Sequence, residues 1–594
     1  MNPTLGAVIG GALLAFAFLS PMAAAETCEQ AYAGITALAE SRALTCTRVT
    51  EETVVTSHGA VQISVWVRSP APAGDAMVAR AMLNTMRRAI PVYAGFKAMP
   101  PTIVGVVGRD RLAWMHGEQL GVEAAEAFDS HAHRCVVDVA MASVRAGMRG
   151  GTAVAAGEQL NWIIAHELFH CLQSANFPQA DLDESDWWRE GEAEYFPSFV
   201  WNDRISDRFG LFDEESASHS LFEVDHSHPG ETGGYANVAF MIGFAGRTST
   251  TYLLDVFAGL AATTDHTAQA AHLAGDPFFV AAFHTFAKDF FTGSIPSHIP
   301  PTNPELSTRL RFPHPTIVAN NMDLGFAPTS AGFVPIGDGA DARREVMHFY
   351  RGRLVLPAHH RYRIDALGGE EIALLAEGYD WMDDPSGAVI DACDDPIPAL
   401  AVADAVDPHQ AFAPHLRIQV QPAVPDVCGR RDPCLVGRWR VDQSHMDRIV
   451  TGLGAGAGAR MERGPMEIAF AASGVWLLEF NHLTTRWQSS LGASRLVFEG
   501  KGQGRWAAPR PGTLQSSISS DTSYERLYVV NGAHQTGPMR LPGVVSGFGV
   551  STAPEAYQCT PDTLTFTRPA GAIVYHRVSR DGGLHARSDF NWAH

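Results

Sequence analysis

The segments 166–170 and 190–194 have the side chains and the spacing for metal-assisted hydrolysis. The first reads His-Glu-Leu-Phe-His and the second reads Glu-Gly-Glu-Ala-Glu. Residues four apart lie on one face of a helix, so His166 and His170 can direct both imidazoles at one ion. Glu167 then lies beside the ion rather than on it, which suits a general base that takes a proton from metal-bound water.

A catalytic zinc site needs a third protein ligand and an open position for water. We expect this ligand to come from a second helix, on which Glu190 and Glu194 lie one turn apart on the same face. The pattern therefore predicts one zinc ion held by His166, His170 and a carboxylate of that second helix. A structural zinc site fits less well, because such sites are usually closed by cysteines and have no use for Glu167.

The pattern His-Glu-x-x-His, nineteen further residues and Glu resembles that of the gluzincin metallopeptidases, the thermolysin-like group. Segment 187–195, which reads Trp-Trp-Arg-Glu-Gly-Glu-Ala-Glu-Tyr, is similar to the ligand helix of many bacterial members. The resemblance covers about residues 95–260. It implies His166, His170 and Glu190 as the three zinc ligands, with Glu167 as the general base. It also implies Glu194 as the carboxylate that orients a histidine ligand.

The resemblance implies a metallopeptidase that uses zinc-activated water on a peptide or protein substrate. In gluzincins, a strand before the metal helix lines the cleft and pairs with the substrate backbone, and segment 135–140 is the candidate here. Two other functions stay open: a catalytically inert binding or adhesion protein with the zincin fold, and a zinc amidase acting on a non-peptide amide. Metal binding without turnover would favour the first, and activity on such amides alone would favour the second.

Attack on a peptide carbonyl builds negative charge on its oxygen, and the metal shares this charge with a Tyr or His donor. Gluzincins take that donor from beyond the ligand helix. Tyr235 is our first choice, because it follows a pair of glycines and begins a predicted helix. The competing donors lie just before it and are His219, His226 and His228. A core or capping role for Tyr235 also stays open.

The hydrophobic pattern and the resemblance together predict a multidomain α+β protein. A zincin-like catalytic domain, with a mixed sheet and active-site helices, is followed by a β-sandwich-like and a small β-barrel-like domain. The predicted bounds are 1–25 for a signal peptide, 26–300 for the catalytic domain, 301–430 for the β-rich accessory domain and 431–590 for the barrel-like domain. Within the catalytic domain, the main predicted strands are 61–67, 103–107 and 135–140, and the main predicted helices are 76–90, 159–174, 187–201, 238–257 and 277–291.

The hydrophobic pattern of the sequence changes beyond the proline-rich segment 295–304. Short alternating runs such as 361–364 and 416–420, separated by Gly, Pro and Asp, predict the sandwich-like domain. A second β unit begins at 434–439 and ends near 573–577. Its early Gly-x-Trp and late Arg faintly resemble a lipocalin-like small barrel.

The N-terminus predicts export. An apolar run at 5–19 precedes three alanines at 23–25, which indicates a signal peptide cleaved near Ala25 and a secreted or periplasmic protein. The chain has eight cysteines, and an even number in an exported protein suggests disulfide bonds. The sequence does not fix their connectivity, but proximity along the chain suggests the pairs Cys28–Cys46, Cys135–Cys171, Cys393–Cys428 and Cys434–Cys559.

The charge of the chain disfavours some classes of binding partner. The formal net charge is −20, and the only lysines are Lys97, Lys288 and Lys501. A chain this acidic is a poor match for nucleic acid or for an anionic membrane surface. The apolar run at 5–19 is also short for a membrane span. We therefore expect neither a nucleic-acid partner nor stable membrane insertion.

Overall fold

The chain divides into two compact units. The first comprises Met1–Gln179, Glu192–Arg204 and His226–Glu231, and the second comprises Ala180–Gly191, Ile205–Asp225 and Thr232–His594. The predicted signal peptide lies outside the residues that the computed structural model describes. These are 26–28, 31, 45–68, 73–109, 124–140, 153–177, 182–201, 221, 237–263, 265–292, 322–323, 332–336, 346–368, 371–409, 414–422, 426–442, 445–446, 460–489, 492–521, 524–529, 534–535, 539–540, 550–568 and 571–580.

The first unit is built on a six-stranded mixed sheet and two long helices. The strands are β1 Glu26–Thr27, β2 Thr45–Thr56, β3 Gly59–Arg68, β4 Thr102–Arg109, β5 Ala124–Asp129 and β6 Arg134–Ala140, and the helices are α1 Ala73–Tyr93 and α2 Ala153–Asn176. The order across the sheet is β1-β2-β3-β4-β6-β5. Strands β3, β4 and β6 run parallel, while β2 and β5 are antiparallel to their neighbours. The predicted strands 61–67, 103–107 and 135–140 and helix 76–90 are confirmed within these elements.

Strand β4 is buried on both faces of this sheet. Val104 and Val106 belong to an apolar cluster that includes the Cys28–Cys46 disulfide. On the opposite face, Gly105 leaves room for helix α1, because a Cβ atom at this position would lie 2.1 Å from Sδ of Met82. The absence of a side chain at Gly105 therefore sets how closely α1 approaches the sheet.

The expectation that segment 135–140 pairs with a substrate backbone is wrong. These residues form β6, which is hydrogen-bonded to β4 on one side and to β5 on the other. A strand whose two edges are both paired has no main-chain groups left for a peptide. Among the strands of the described residues, β5 is the last in the order of this sheet.

The remaining helices are α3 Leu182–Tyr195, α4 Val238–Arg247, α5 Thr250–Leu260, α6 His266–Ala274 and α7 Pro277–Phe291. The predicted bounds of α7 are confirmed, since Asp276 caps the backbone amides of Phe278 and Phe279. The predicted helix 187–201 is wrong at both ends, because it begins at Leu182 and changes at Phe196–Phe199 into a 3-10 turn that contains Pro197. The predicted helix 238–257 is two helices, because Ser249 caps the start of α5.

Two sheets between residues 322 and 422 share one apolar core. Their strands are β7 Met322–Asp323, β8 Gly332–Pro335, β9 His348–Leu356, β10 His360–Leu367, β11 Glu371–Ala376, β12 Met382–Asp383, β13 Ala388–Ala392, β14 Ile397–Ala405 and β15 His415–Pro422. The sheet orders are β13-β10-β15-β8 and β12-β11-β14-β9-β7. Tyr362 and Ile418 of the first sheet and Leu374 and Ala401 of the second are buried in one cluster, which is the architecture of a sandwich.

Helix α7 joins this sandwich through a buried group of charges. Nδ1 of His284 lies 2.5 Å from Oδ1 of Asp404, and Nζ of Lys288 lies 2.6 Å from Oδ1 of Asp383. Burial alone would lower the pKa of His284, but the carboxylates of Asp404 and Asp383 outweigh it and raise this pKa to about 9. The imidazolium form of His284 is therefore part of the folded structure at neutral pH.

The C-terminal region contains a closed eight-stranded barrel. Its strands and their extensions are β16 Gly437–Val441, β17 Arg460–Arg463, β18 Met466–Phe470, β19 Val475–Ser489, β20 Gly492–Arg510, β21 Thr513–Ser516, β22 Ser520–Asp521, β23 Tyr524–Val529, β24 His534–Gln535, β25 Met539–Arg540, β26 Glu555–Cys559, β27 Thr563–Arg568 and β28 Gly571–Ser579. The order β19-β18-β16-β28-β27-β26-β21-β20 closes because β20 also pairs with β19. The expected mixed α+β fold with a barrel is confirmed.

The two ends of the predicted Gly-x-Trp and Arg pattern meet in this barrel. The guanidinium of Arg577 lies 3.9 Å from the ring centroid of Trp439. Gly437 has a φ of +145°, and a Cβ atom there would lie 2.6 Å from a guanidinium nitrogen of Arg577. Trp439, Trp476 and Trp506 are fully buried in one core cluster. Side chains therefore fill this part of the barrel.

Four disulfides join the eight cysteines, and the pairing suggested by proximity is confirmed. The bonds are Cys28–Cys46, Cys135–Cys171, Cys393–Cys428 and Cys434–Cys559. Such bonds are typical of proteins that fold in an oxidising, extracytoplasmic compartment. Among the helices of the described ranges, none has the length and apolar character to cross a membrane.

Candidate metal centre

Helix α2 presents His166, Glu167 and His170 from a segment that is buried on nearly every side. The three residues are only 5%, 8% and 6% exposed. The apolar side chains that bury this segment are Trp162, Ile164, Ala165, Leu168, Phe169 and Leu172. The helix ends at Asn176, two positions before Pro178, because the residue that precedes a proline disfavours the helical conformation.

The two histidines converge through the same ring nitrogen. Nε2 of His166 lies 3.0 Å from Nε2 of His170, and the two rings are nearly perpendicular. In a tetrahedral zinc site with bonds of about 2.0–2.1 Å, two ligand nitrogens are about 3.3 Å apart. The observed spacing therefore matches two imidazoles that share one ion through Nε2, and it leaves Nδ1 of each ring for another partner.

Glu190 completes a group of three ligands. One carboxylate oxygen of Glu190 and one ring nitrogen each of His166 and His170 all lie within 4.8 Å of one another. This is the one group of three or more such side chains found within the described part of the chain. The predicted ligands are thus brought together, and they could hold a metal ion.

Local packing explains why Glu190 is followed by glycine on helix α3. A Cβ atom at Gly191 would lie 3.0 Å from Cε of Met241 and 3.1 Å from Cβ of Asn237. The amide of Asn237 also donates a hydrogen bond to the carbonyl oxygen of Trp187 at 2.8 Å. Gly191 therefore allows helix α4 to approach the turn that carries the ligand.

Glu194 contacts the first histidine, as expected from the sequence. Its Oε1 lies 3.4 Å from Nδ1 of His166, and the indole of Trp162 donates a hydrogen bond to its Oε2 at 2.9 Å.

Nearby, Tyr93 donates a hydrogen bond to the carbonyl oxygen of Ala165 at 2.9 Å. Burial, reinforced by the charge of Glu194, raises the pKa of Tyr93 well above its usual range. Tyr93 is therefore a neutral donor that fixes the helix just before the metal ligands.

Two buried residues behind the second histidine were not predicted from the sequence: Gln173 contacts His170, and Glu192 contacts Gln173. Nδ1 of His170 lies 2.7 Å from Oε1 of Gln173, and Nε2 of Gln173 donates a hydrogen bond to Oε2 of Glu192 at 2.9 Å. Both Gln173 and Glu192 are buried. Gln173 follows His170 by three positions, and that helical spacing is a signal that could have identified it.

A disulfide fixes helix α2 to the sheet. Cys171, the residue after His170, is bonded to Cys135 at the start of β6, with their Cα atoms 5.7 Å apart. Both cysteines are fully buried. The bond therefore restrains the turn of α2 that carries the ligand.

The candidate oxyanion donors lie outside the described residues. They are Tyr235, His219, His226 and His228. The placement of these four side chains stays a prediction. The structure therefore brings together the three predicted ligands and the carboxylate beside them, and adds Gln173 and Glu192.

Comparison with protein-family models and with curated proteins gives no match for this sequence. The resemblance to gluzincins thus rests on the residues of the metal centre themselves.

Proposed function

We propose that the chain is an exported, zinc-dependent metallopeptidase of the gluzincin type. The observation that carries the proposal is the convergence of His166, His170 and Glu190, with Glu167 next to the first ligand in a buried helix. Two imidazoles and one carboxylate are a ligand set of catalytic zinc sites, which keep a fourth position open. Magnesium and calcium favour sites made of oxygen ligands alone.

The three ligands and Glu167 have separate roles in hydrolysis. Bound by its three ligands, zinc would lower the pKa of a water molecule and polarise the carbonyl of the substrate. Glu167 takes the proton from this water and holds it on a carboxylate oxygen. The same carboxyl group then donates the proton to the nitrogen of the leaving amine and returns to its ionised form. Because Glu167 is 8% exposed, little bulk water competes for this proton.

Strand β5 supports a peptide as the substrate. It pairs with β6 through one edge, contacts helix α2, and is last in the order of the sheet. An extended peptide can add to a sheet edge through main-chain hydrogen bonds. We therefore assign the substrate backbone to the edge of β5, with Tyr235 as our candidate donor to the carbonyl oxygen.

The proposal is tested by exposing a broad peptide mixture to the purified mature chain and mapping the cleavage sites by mass spectrometry. Glu167→Gln, which has nearly the same shape but cannot accept the proton, is the matched control. Cleavage by the parent alone supports the proposal and reveals the side-chain preference. A zinc-loaded parent that cleaves no peptide would overturn it, and a panel of non-peptide amides would then separate an amidase from an inert binding protein.

A further inference from the structure

The two histidine ligands are held by different groups. His166 has the carboxylate of Glu194 3.4 Å from its Nδ1. His170 has instead the side-chain amide of Gln173 at 2.7 Å from its Nδ1, and that amide contacts the carboxylate of Glu192. All of these side chains are buried. The second ligand is therefore separated from a carboxylate by one neutral amide.

The direction of this hydrogen-bond chain follows from the chemistry of its groups. Nε2 of Gln173 donates to Oε2 of Glu192 at 2.9 Å, so the NH₂ end of the Gln173 side chain faces Glu192. The amide oxygen of Gln173 then faces His170 and can only accept. Nδ1 of His170 must carry the proton to complete the chain, which leaves Nε2 with a lone pair facing Nε2 of His166 at 3.0 Å.

We propose that Gln173 and Glu192 are positioning residues that fix the tautomer of His170 for metal binding. The inference rests on the proposed function, because it presumes a metal ion on Nε2. Glu192 orients the amide, and the amide orients the imidazole before any ion arrives. The rotated amide would place its oxygen against an oxygen of Glu192 and lose the hydrogen bond at 2.9 Å, so the contact with Glu192 opposes rotation.

The test compares the full mature chain with Gln173→Met and Glu192→Gln. Gln173→Met removes the amide oxygen that accepts from His170 while keeping nearly the same side-chain length. Glu192→Gln keeps a polar group, but that group can no longer select one end of the Gln173 amide. Zinc affinity is measured by competition with a chelator. Partners of this kind typically change metal affinity by about 10–100-fold. We expect a loss in that range for Gln173→Met and a smaller loss for Glu192→Gln.

The tautomer itself is read from long-range ¹H–¹⁵N spectra of the zinc-free, histidine-labelled chain. The signals of His170 are assigned by their absence in His170→Ala. The parent should show His170 protonated at Nδ1, and both variants should show protonation at Nε2 or a mixture. The matched control is Thr85→Val, which removes a different hydrogen bond to helix α2, from the Thr85 hydroxyl to Asn161 at 3.1 Å, and should leave both readouts unchanged.

The outcomes separate this inference from the proposed function. If either variant folds and keeps both the parent tautomer and the parent zinc affinity, the inference is overturned. An equal loss of affinity in Thr85→Val would also overturn it, because the effect would then be general destabilisation. A parent that binds no zinc refutes the proposed function, while the tautomer in the zinc-free chain still decides whether Gln173 orients His170.

Discussion

Oε1 of Glu194 lies 3.4 Å from Nδ1 of His166, while its other oxygen accepts a hydrogen bond from the indole of Trp162. All three side chains are buried. The carboxylate is therefore held on one side by a neutral donor and can hold the imidazole on the other. A carboxylate in this position keeps Nε2 of a histidine directed at its metal and raises the basicity of the ring.

Replacing Glu194 should weaken metal binding more than it weakens the fold. In Glu194→Gln we expect zinc affinity to fall by about 10–100-fold, because the negative partner of His166 is lost while its shape is kept. Trp162→Phe leaves the carboxylate in place and should cost less than Glu194→Gln. Chelator competition measures both affinities. Unchanged zinc affinity in Glu194→Gln would exclude this role.

The Cys135–Cys171 disulfide should matter for both stability and metal binding. It closes a segment with a sequence separation of 36, for which chain entropy predicts about 3–4 kcal/mol of stabilisation. The double variant Cys135→Ala/Cys171→Ala should lose roughly this amount in denaturant unfolding. It should also bind zinc less tightly, because the turn that carries His170 is no longer fixed to β6.

The matched control is the Cys393–Cys428 disulfide, whose sequence separation is 35. By the same argument, removing it should cost a similar free energy in the unit to which it belongs. Zinc affinity should not change, since neither cysteine adjoins a candidate ligand in the chain, as Cys171 adjoins His170. An equal loss of zinc affinity in both double variants would mean that the Cys135–Cys171 bond has no specific role.

His284 should make the stability of the second unit depend on pH. Its pKa is 6.5 in the unfolded chain and about 9 in the folded chain. A raised pKa stabilises the fold fully below pH 6.5, and this stabilisation is lost as the pH rises through about 9. The shift corresponds to about 3 kcal/mol. The charged groups that face His284 are Asp404, Asp383, Lys288 and Glu371.

Unfolding of the second unit at pH 6.5 and at pH 9.5 measures this effect. Subtracting the same difference in His284→Gln removes the contributions of the other titrating groups. We expect the parent to lose more stability than His284→Gln over this range. An identical pH dependence in the two proteins would show that folding does not raise the pKa of His284.

Gly105 should be intolerant of even one added methyl group. A Cβ atom would lie 2.1 Å from Sδ of Met82 and 2.9 Å from Cε of Met86, so helix α1 or both methionines must move. Overpacking of this kind costs about 1–3 kcal/mol. The control is Gly157→Ala in helix α2, where nothing lies within 4 Å and where alanine should stabilise by about 1 kcal/mol. Thermal unfolding compares the two variants.

The ligands could be predicted from the sequence because helical spacing is local. His166 and His170 lie on one face of any regular helix, and the bounds of α7 follow from the Asp276 cap and Pro277. The break between α4 and α5 was missed, because the apolar pattern continues through Thr248 and Ser249 while the cap of α5 is decided by one side-chain hydrogen bond.

The features that could not be predicted from the sequence depend on contacts between distant segments of the chain. The sequence does not reveal that β6 lies between β4 and β5, since a buried strand has the same apolar pattern at a sheet edge and inside a sheet. Glu192 was missed because its partner, Gln173, lies on another helix and carries no charge. Local patterns thus predicted the candidate ligands, whereas only the topology shows that β6 is paired on both sides.

Zinc content is the measurement that most directly tests the metal centre. The purified mature chain, Glu167→Gln and His170→Ala are dialysed in parallel against trace zinc, and bound metal is determined by elemental analysis. We predict one zinc ion per chain for the parent and for Glu167→Gln, since Glu167 is not a ligand, and none for His170→Ala. Zinc retained in full by His170→Ala, or absent from the parent, would contradict the account.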